Sequence, residues 1–443
     1  MAQKSRAKNS TEADTPAGVF ATIRATPPSV RYLLGGVLIN QLGAFVQTFL
    51  VLYLAVRGFS IEQAGIALTA YSVGAVCGTL LGGELTHRIG PRATIAGSML
   101  TSSMIVGLIP WLSSPARFGL LVAAVALAGL VTQSYRPAAA VLLSELMPEE
   151  HRVMAFSMMR TALNIGAALG PLIAAGLILL NWDLLFWLDA GTAFAYAVLA
   201  RTFLPDMPAA AAQEKPTEDK RSAYGVLLRD RNYLLFLASV LLGSMIYVQY
   251  MVALPLKITA DGHSAALYSV VLATSSLTVV LCELKITFYV KNWRPNLVGA
   301  FGTALMGVGL AAYGLATRSV VLIILSTVVF VFGVMINGPT MFAHPATFPA
   351  TVKARYIGAH YATFGLGLAL GPTLGVLAWQ SLANGVWPVC GGIGVIAALC
   401  ALVGMRENER HAHPRPAQPE TLRRSDETVD YATIDEVPSA ARG

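Results

Sequence analysis

Charged side chains are scarce in this chain. Asp, Glu, Lys and Arg together make up 12% of 443 residues, where a soluble domain carries about 25%. A surface that poor in charge does not suit water and points to lipid as the solvent. Cysteine is also sparse. Cys77, Cys282, Cys390 and Cys400 all fall inside apolar runs; they offer neither a disulfide framework nor C-x-x-C metal spacing and read as packing residues. No Walker loop is present, so nothing in the chain points to ATP hydrolysis as a power source. Gly365, Gly367 and Gly371 lie in an apolar run without a preceding strand and make no dinucleotide loop. His411 and His413 are isolated in a polar tail. No enzyme, cofactor or metal chemistry is expected. The start, MAQKSRAKNSTEADTPAGVF, lacks the apolar core of a signal peptide.

Long uncharged runs are what the chain does have. Residues 33–56 hold 24 consecutive uncharged positions, enough to cross a ~30 Å hydrocarbon core as a helix. Helices are favoured because lipid cannot satisfy open backbone groups, and these runs are too long and continuous for barrel strands. Twelve spans are expected, at about 31–56, 62–86, 93–112, 117–146, 152–180, 184–203, 231–256, 264–290, 296–316, 319–345, 354–383 and 386–405. The fold class is therefore an all-α membrane protein of two six-helix bundles, 31–203 and 231–405. A tail (1–30), a Pro- and charge-rich linker (204–230) and a disordered tail (406–443) flank them. With both termini on the cytoplasmic side, the Lys and Arg residues gather there. The exceptions are Arg57, Arg117, Lys257 and Arg318, and the three inside spans, Arg136, Arg160 and Lys285. That asymmetry is the positive-inside pattern. It accounts for the net charge of +7 without a nucleic-acid partner and places the protein in a cell membrane, in contact with lipid.

An internal repeat supports two halves. Gly166, Gly170 and Pro171 in span five recur as Gly367, Gly371 and Pro372 in span eleven, each 201 residues on. Pro148 and Pro349 keep the same offset. A parallel repeat of six-helix units with a substrate path between them follows.

One short stretch carries unusual charge for its place. GGELTHRIGPR, residues 82–92, forms the turn between spans two and three. It resembles the loop signature of the major facilitator superfamily, roughly G-x-L-a-D-r-x-G-r-[RK], through Gly83, Leu85, Arg88, Gly90 and Arg92. His87 stands where that family usually has Asp, and Pro91 where it usually has a basic residue. Residues 135–171 resemble spans four and five of the family's twelve-span drug–proton antiporter branch, whose antiporter motif is similar to Gly166-x-x-x-Gly170-Pro171. Ala174 and Ala175 replace the usual closing glycine pair. The resemblance covers 31–405. It implies alternating access, in which two bundles rock about a central cavity driven by protons, in a protein that is a monomer by default.

The residues divide by role. In the loop, Arg88 and Arg92 are expected to pair with carboxylates on neighbouring helices, Glu145 of span four first, forming a latch; the alternative is a plain positive-inside anchor. Arg136 and Arg160 lie about 13 Å deep, where an Arg costs roughly 2.5–3.5 kcal/mol on insertion scales. They must face a cavity, a carboxylate or helix carbonyls. Asn164, one turn after Arg160, extends the stripe. A polar clamp between spans four and five and contact with substrate both remain open for this set. Glu283 in span eight is the first candidate for proton coupling, and Asp189 in span six the second; a static salt bridge is the other reading of Glu283. Asn40, Gln47, Tyr247, Gln249, Tyr250, Asn337, His344 and His360 are cavity candidates, or helix-packing glue.

An apolar, aromatic cavity suits hydrophobic or amphiphilic cargo. Proton-coupled efflux of such compounds, as in drug or antibiotic export, is the leading expectation. A carrier for a specific metabolite, peptide or lipid is the alternative within transport, and a non-transporting membrane sensor or scaffold is the alternative outside it.

Overall fold

The computed structural model describes residues 26–209, 223–316 and 319–406. Most of the expected N-terminal tail, the centre of the linker, Arg318 and the C-terminal tail with His411 and His413 lie outside the described residues. Within them the chain is helical throughout, without strands.

Span one is two helices, Pro28–Leu42 and Val46–Val56. Span two is Ile61–Ile89, three is Pro91–Leu112, four is Phe118–Leu146, five is Arg152–Leu180 and six is Asp183–Phe203. Span seven is again two helices, Arg231–Tyr247 and Gln249–Ala260. Eight is Ala265–Val290, nine is Pro295–Tyr313, ten is Val320–Ala343, eleven is Ala350–Leu382 and twelve is Val386–Gly404. Eleven stretches among the described residues are long and apolar enough to cross a membrane, and the longest, Ala350–Gly404, holds two of these helices. The protein is thus a multi-pass membrane protein with about twelve spanning helices.

Local chemistry sets the helix ends. Ser60 and Gln63 form a capping box at the start of span two. Asp230 caps span seven by accepting from the Tyr233 N–H at 3.1 Å. Gly90 sits at φ +85° between spans two and three, a left-handed conformation that a side chain would strain. Pro91 then opens span three, where its missing N–H costs nothing.

Without a hydrophobic drive between helices in lipid, close packing of small residues must hold the bundles together. Gly74, Gly78 and Gly82 align on one face of span two. A Cβ on each would come within 2.0, 2.0 and 2.1 Å of the carbonyl oxygens of Ala126, Leu130 and Ser134 on span four, so the two backbones touch there. Spans nine and ten meet in the same way at Gly302, Gly309 and Gly333.

The pairings repeat between halves. Span two packs on four, three on six, and one on five and six; span eight packs on ten, nine on twelve, and seven on eleven and twelve. The Gly-x-x-x-Gly-Pro segments occupy matching places. Gly166 and Gly170 lie against Gln41 and Leu42, where span one breaks, and Gly367 and Gly371 lie against Ser244 and Val248, where span seven breaks. Even the far-end clamps correspond. Arg57 pairs with Asp183 and Tyr53, while the fully buried Lys257 reaches Asp261 at 2.7 Å and Asn384 at 3.1 Å. Asn384 stands 201 residues after Asp183. Arg57 and Lys257, which departed from the positive-inside pattern, are therefore structural clamps. The face bearing Arg88, Arg92, Arg152, Lys291, Arg294, Lys353 and Arg355, at the ends of the even-to-odd turns, is called the basic face below.

Candidate transport cavity and its gates

The two bundles meet through spans two and eleven, five and eight, five and ten, and four and eleven. Gly83 and Gly358 cross backbone against backbone. A Cβ on Gly83 would lie 2.7 Å from the Ala354 carbonyl oxygen and 3.2 Å from Gly358 Cα, and a Cβ on Gly358 would lie 2.9 Å from the Thr79 oxygen. Only two backbones without side chains fit there.

Charge reinforces this crossing. Arg355 donates from Nε to Glu84 Oε2 at 2.7 Å and from Nη2 to Oε1 at 3.3 Å. Arg88 donates to the same Glu84 at 2.6 Å from one turn along span two. Glu145 of span four pairs with Lys353 of span eleven. Glu145, the carboxylate expected first for the arginines of the turn, is therefore not their partner. Arg88 stays on its own helix, and Arg92 donates to the Arg201 carbonyl at 2.5 Å and lies 3.7 Å from Asp206. Glu145 is taken by a cation of the other bundle. The i,i+4 geometry of Glu84 and Arg88 satisfies that arginine locally, and Arg92 faces span six across its own bundle. Leu85 is partly buried, and His87 is 2% exposed in the packed turn.

Deeper in, spans five and eight meet through three successive turns. Ser157 and Thr287 hydroxyls share a hydrogen bond of 3.0 Å. One turn on, Arg160 Nε donates to Glu283 Oε1 at 2.8 Å, and Asn164 Nδ2 reaches Oε2 at 3.3 Å. Glu283 is 1% exposed. Among the described residues, every hydrogen bond between the bundles lies on this path from the basic face to Glu283. The protein is closed at the basic face.

Beyond the closure lies a cavity of about 270 Å³ between the bundles. Arg136, Arg160 and Asn164 line it from the first bundle, and Tyr247, Asn337 and His360 from the second. Phe342, Tyr361 and Phe364 give it an aromatic wall, with the Arg160 guanidinium 5.8 Å from the Phe342 ring centroid.

Other sequence candidates stand elsewhere. Asn40 is buried and Gln47 exposed, neither in the cavity wall. Gln249 donates to the Met245 and Gly371 carbonyls at 2.8 and 2.9 Å, pinning the break in span seven to span eleven. Tyr250 packs on Phe330, and His344 on Phe236. Pro171 and Pro372 sit inside unbroken helices. Lys285 is exposed on the outside of span eight. Asp189 is buried, its Oδ2 accepting the Phe45 and Val46 N–H groups at 3.0 and 3.2 Å. It caps the second helix of span one, a carboxylate placed at a positive dipole end.

Lys353, Arg355 and Thr287 were missed by sequence reading. The repeat offset holds one signal, since Arg152 plus 201 residues is Lys353. Arg355 and Thr287 have no local signature.

Comparisons with known proteins agree with this architecture. The family description Major Facilitator Superfamily matches residues 33–347. The chain belongs to the major facilitator superfamily and is a secondary transporter of that type, in keeping with the absence of enzyme motifs. It is 24% identical over 379 residues to a protein of Planococcus maritimus named Na(+), Li(+), K(+)/H(+) antiporter, covering 78% of this chain and 88% of that one. It is 26% identical over 328 residues to the multidrug resistance protein MdtH of Cronobacter sakazakii, covering 72% and 77%. The solved structure of the superfamily transporter FucP in the outward conformation superposes with a TM-score of 0.69 at 14% identity, over 85% of this chain and 96% of that one. At that identity the likeness is one of fold.

Proposed function

We propose that the protein exports small hydrophobic or amphiphilic compounds, such as drugs or antibiotics, in exchange for protons. It does so by alternating access across the cell membrane, with both termini in the cytoplasm and the basic face inward. The moving bodies are the bundles 31–203 and 231–405, and the linker tethers them. One observation carries the reading. The buried Glu283 carboxylate joins the bundles through Arg160 and Asn164 at the edge of the cavity.

A proton on Glu283 removes the charge that Arg160 holds. Breaking a buried ion pair by losing one partner costs about 3–5 kcal/mol, because the other charge is left without compensation. Moving a two-state equilibrium from 1:99 to 99:1 takes about 5.5 kcal/mol. One proton therefore supplies most of the shift from a closed to an open basic face. Cargo entering from the inside and the return of the proton complete the exchange. Asp189 is the lesser candidate because it caps a helix within its own bundle.

The names of two relatives lend support, one being an antiporter of protons and one a multidrug resistance protein. Exchange of metal cations, as the first name states of that relative, fits this chain less well. The cavity wall carries two arginines and no carboxylate among the described residues.

The test is flux in proteoliposomes under an imposed pH gradient, comparing wild type with Glu283→Gln. The expected result is loss of gradient-driven uptake with residual equilibrative exchange. Undiminished coupling in the variant would refute the role of Glu283. No flux of any amphiphile in the wild type would favour a sensor.

A further inference from the structure

Arg136 differs from every other cation buried between the helices. Arg160 has Glu283, Lys257 has Asp261, Lys353 has Glu145 and Arg355 has Glu84. Arg136 lines the cavity from span four. Its Nε is buried with no hydrogen-bond partner among the described residues, and among them its guanidinium makes no ion pair. The carboxylates of the region are engaged elsewhere, Glu283 by Arg160 and Asn164, and Asp189 by the backbone of span one. The cavity wall therefore holds two guanidinium charges, one neutralised by Glu283 and one left over.

His360 stands across the cavity on span eleven. It is 1% exposed, and neither ring nitrogen has a hydrogen-bond partner among the described residues. Its ring stacks at 5.5 Å on Phe236 and meets Phe342 edge-on at 4.7 Å. Buried polar atoms such as Arg136 Nε and the two His360 ring nitrogens are costly to leave unpaired unless a ligand satisfies them. The arrangement offers a fixed cation, imidazole as a donor, and an aromatic wall of Tyr247, Phe342, Tyr361 and Phe364.

We infer that the cavity selects aromatic organic anions, the carboxylate or equivalent acid group of the cargo meeting Arg136 while its ring lies on the aromatic wall. The inference rests on the reading of this cavity as the cargo site. It narrows amphiphilic cargo by charge. A cationic compound would bring like charge to Arg136 inside a low-dielectric wall, which is a repulsive element of selectivity. Arginine suits the role because its planar fork matches a carboxylate and stays charged at every working pH.

The test is equilibrium binding to the full-length protein in detergent, read by calorimetry. Three probes share one ring system: naphthoate, naphthyltrimethylammonium and naphthylmethanol. Naphthoate is expected to bind at least about tenfold tighter than either of the others. In Arg136→Gln the three affinities should fall within about threefold of one another, and Arg136→Lys should keep the wild-type order at reduced strength. Equal or tighter binding of the cation by wild type, binding of none of the three, or a preference that survives Arg136→Gln would each overturn the inference. The wild-type order stands as a test even if Arg136→Gln does not fold. Binding reads head-group charge and not proton coupling. Anion preference together with flux uncoupled from the pH gradient would support this inference while refuting the function proposed above.

Discussion

The crossing of Gly83 and Gly358 allows a sharp test of the closed basic face. Gly83→Ala adds one methyl group, whose carbon would sit 2.7 Å from the Ala354 carbonyl oxygen and 3.2 Å from Gly358 Cα. That is about 0.8 Å short of an ordinary contact distance of ~3.5 Å. Both obstacles are backbone, so no side chain can swing aside and spans two and eleven must separate. Overpacking of this kind costs about 1–3 kcal/mol. Under the alternating access proposed above, the cost falls only on the state closed at the basic face, where spans two and eleven cross. The closed-to-open ratio should therefore drop about 5- to 150-fold. The assay is electron-spin distance measurement in nanodiscs. Labels replace the exposed residues Ile89 and Trp293, and the native cysteines are removed. Wild type should show mainly the short distance, and Gly83→Ala a major longer one. Gly358→Ala should act the same way, since its Cβ would lie 2.9 Å from the Thr79 oxygen. Unchanged distance distributions in both variants would refute the idea that this crossing seals the face.

The charged latch should matter less. Arg355 and Glu84 are partly buried, with 15% and 21% of their side-chain surface still exposed, and an ion pair that water still reaches contributes on the order of 1 kcal/mol. Arg355→Gln is thus expected to move the same distance distribution only severalfold, by an amount that shrinks at high salt; a shift as large as that of Gly83→Ala would reverse the ranking. Asp189→Ala should lower the unfolding temperature of the purified protein by removing a cap worth about 0.5–2 kcal/mol. Asp189→Asn keeps an acceptor oxygen and should retain gradient-driven flux, whereas loss of coupling in it would transfer proton carriage from Glu283 to Asp189.

The sequence by itself determined the solvent, the number of crossings and the repeat. These depend on local quantities: the length of uncharged runs, the gathering of Lys and Arg on one side, and glycine and proline at a fixed offset. It also placed Arg136, Arg160, Asn164 and Glu283 at a depth where polar groups need partners. Only the tertiary structure decided which partners they have. Glu283 meets Arg160 from 123 residues away, and Glu145 meets Lys353 from 208 residues away, separations over which no helical period carries information. Glu145 was expected to serve the arginines of the turn at residues 82–92. It serves the other bundle instead, because Arg88 is satisfied one turn away on its own helix by Glu84. Asp189, the second candidate for proton coupling, caps the break in span one, a break that the unbroken apolar run from residue 33 to 56 conceals. The lone charge of Arg136 is likewise a tertiary fact. Sequence can count arginines in a membrane, but only packing assigns the carboxylates, and here the packing leaves one arginine facing the cavity without a counter-ion among the described residues.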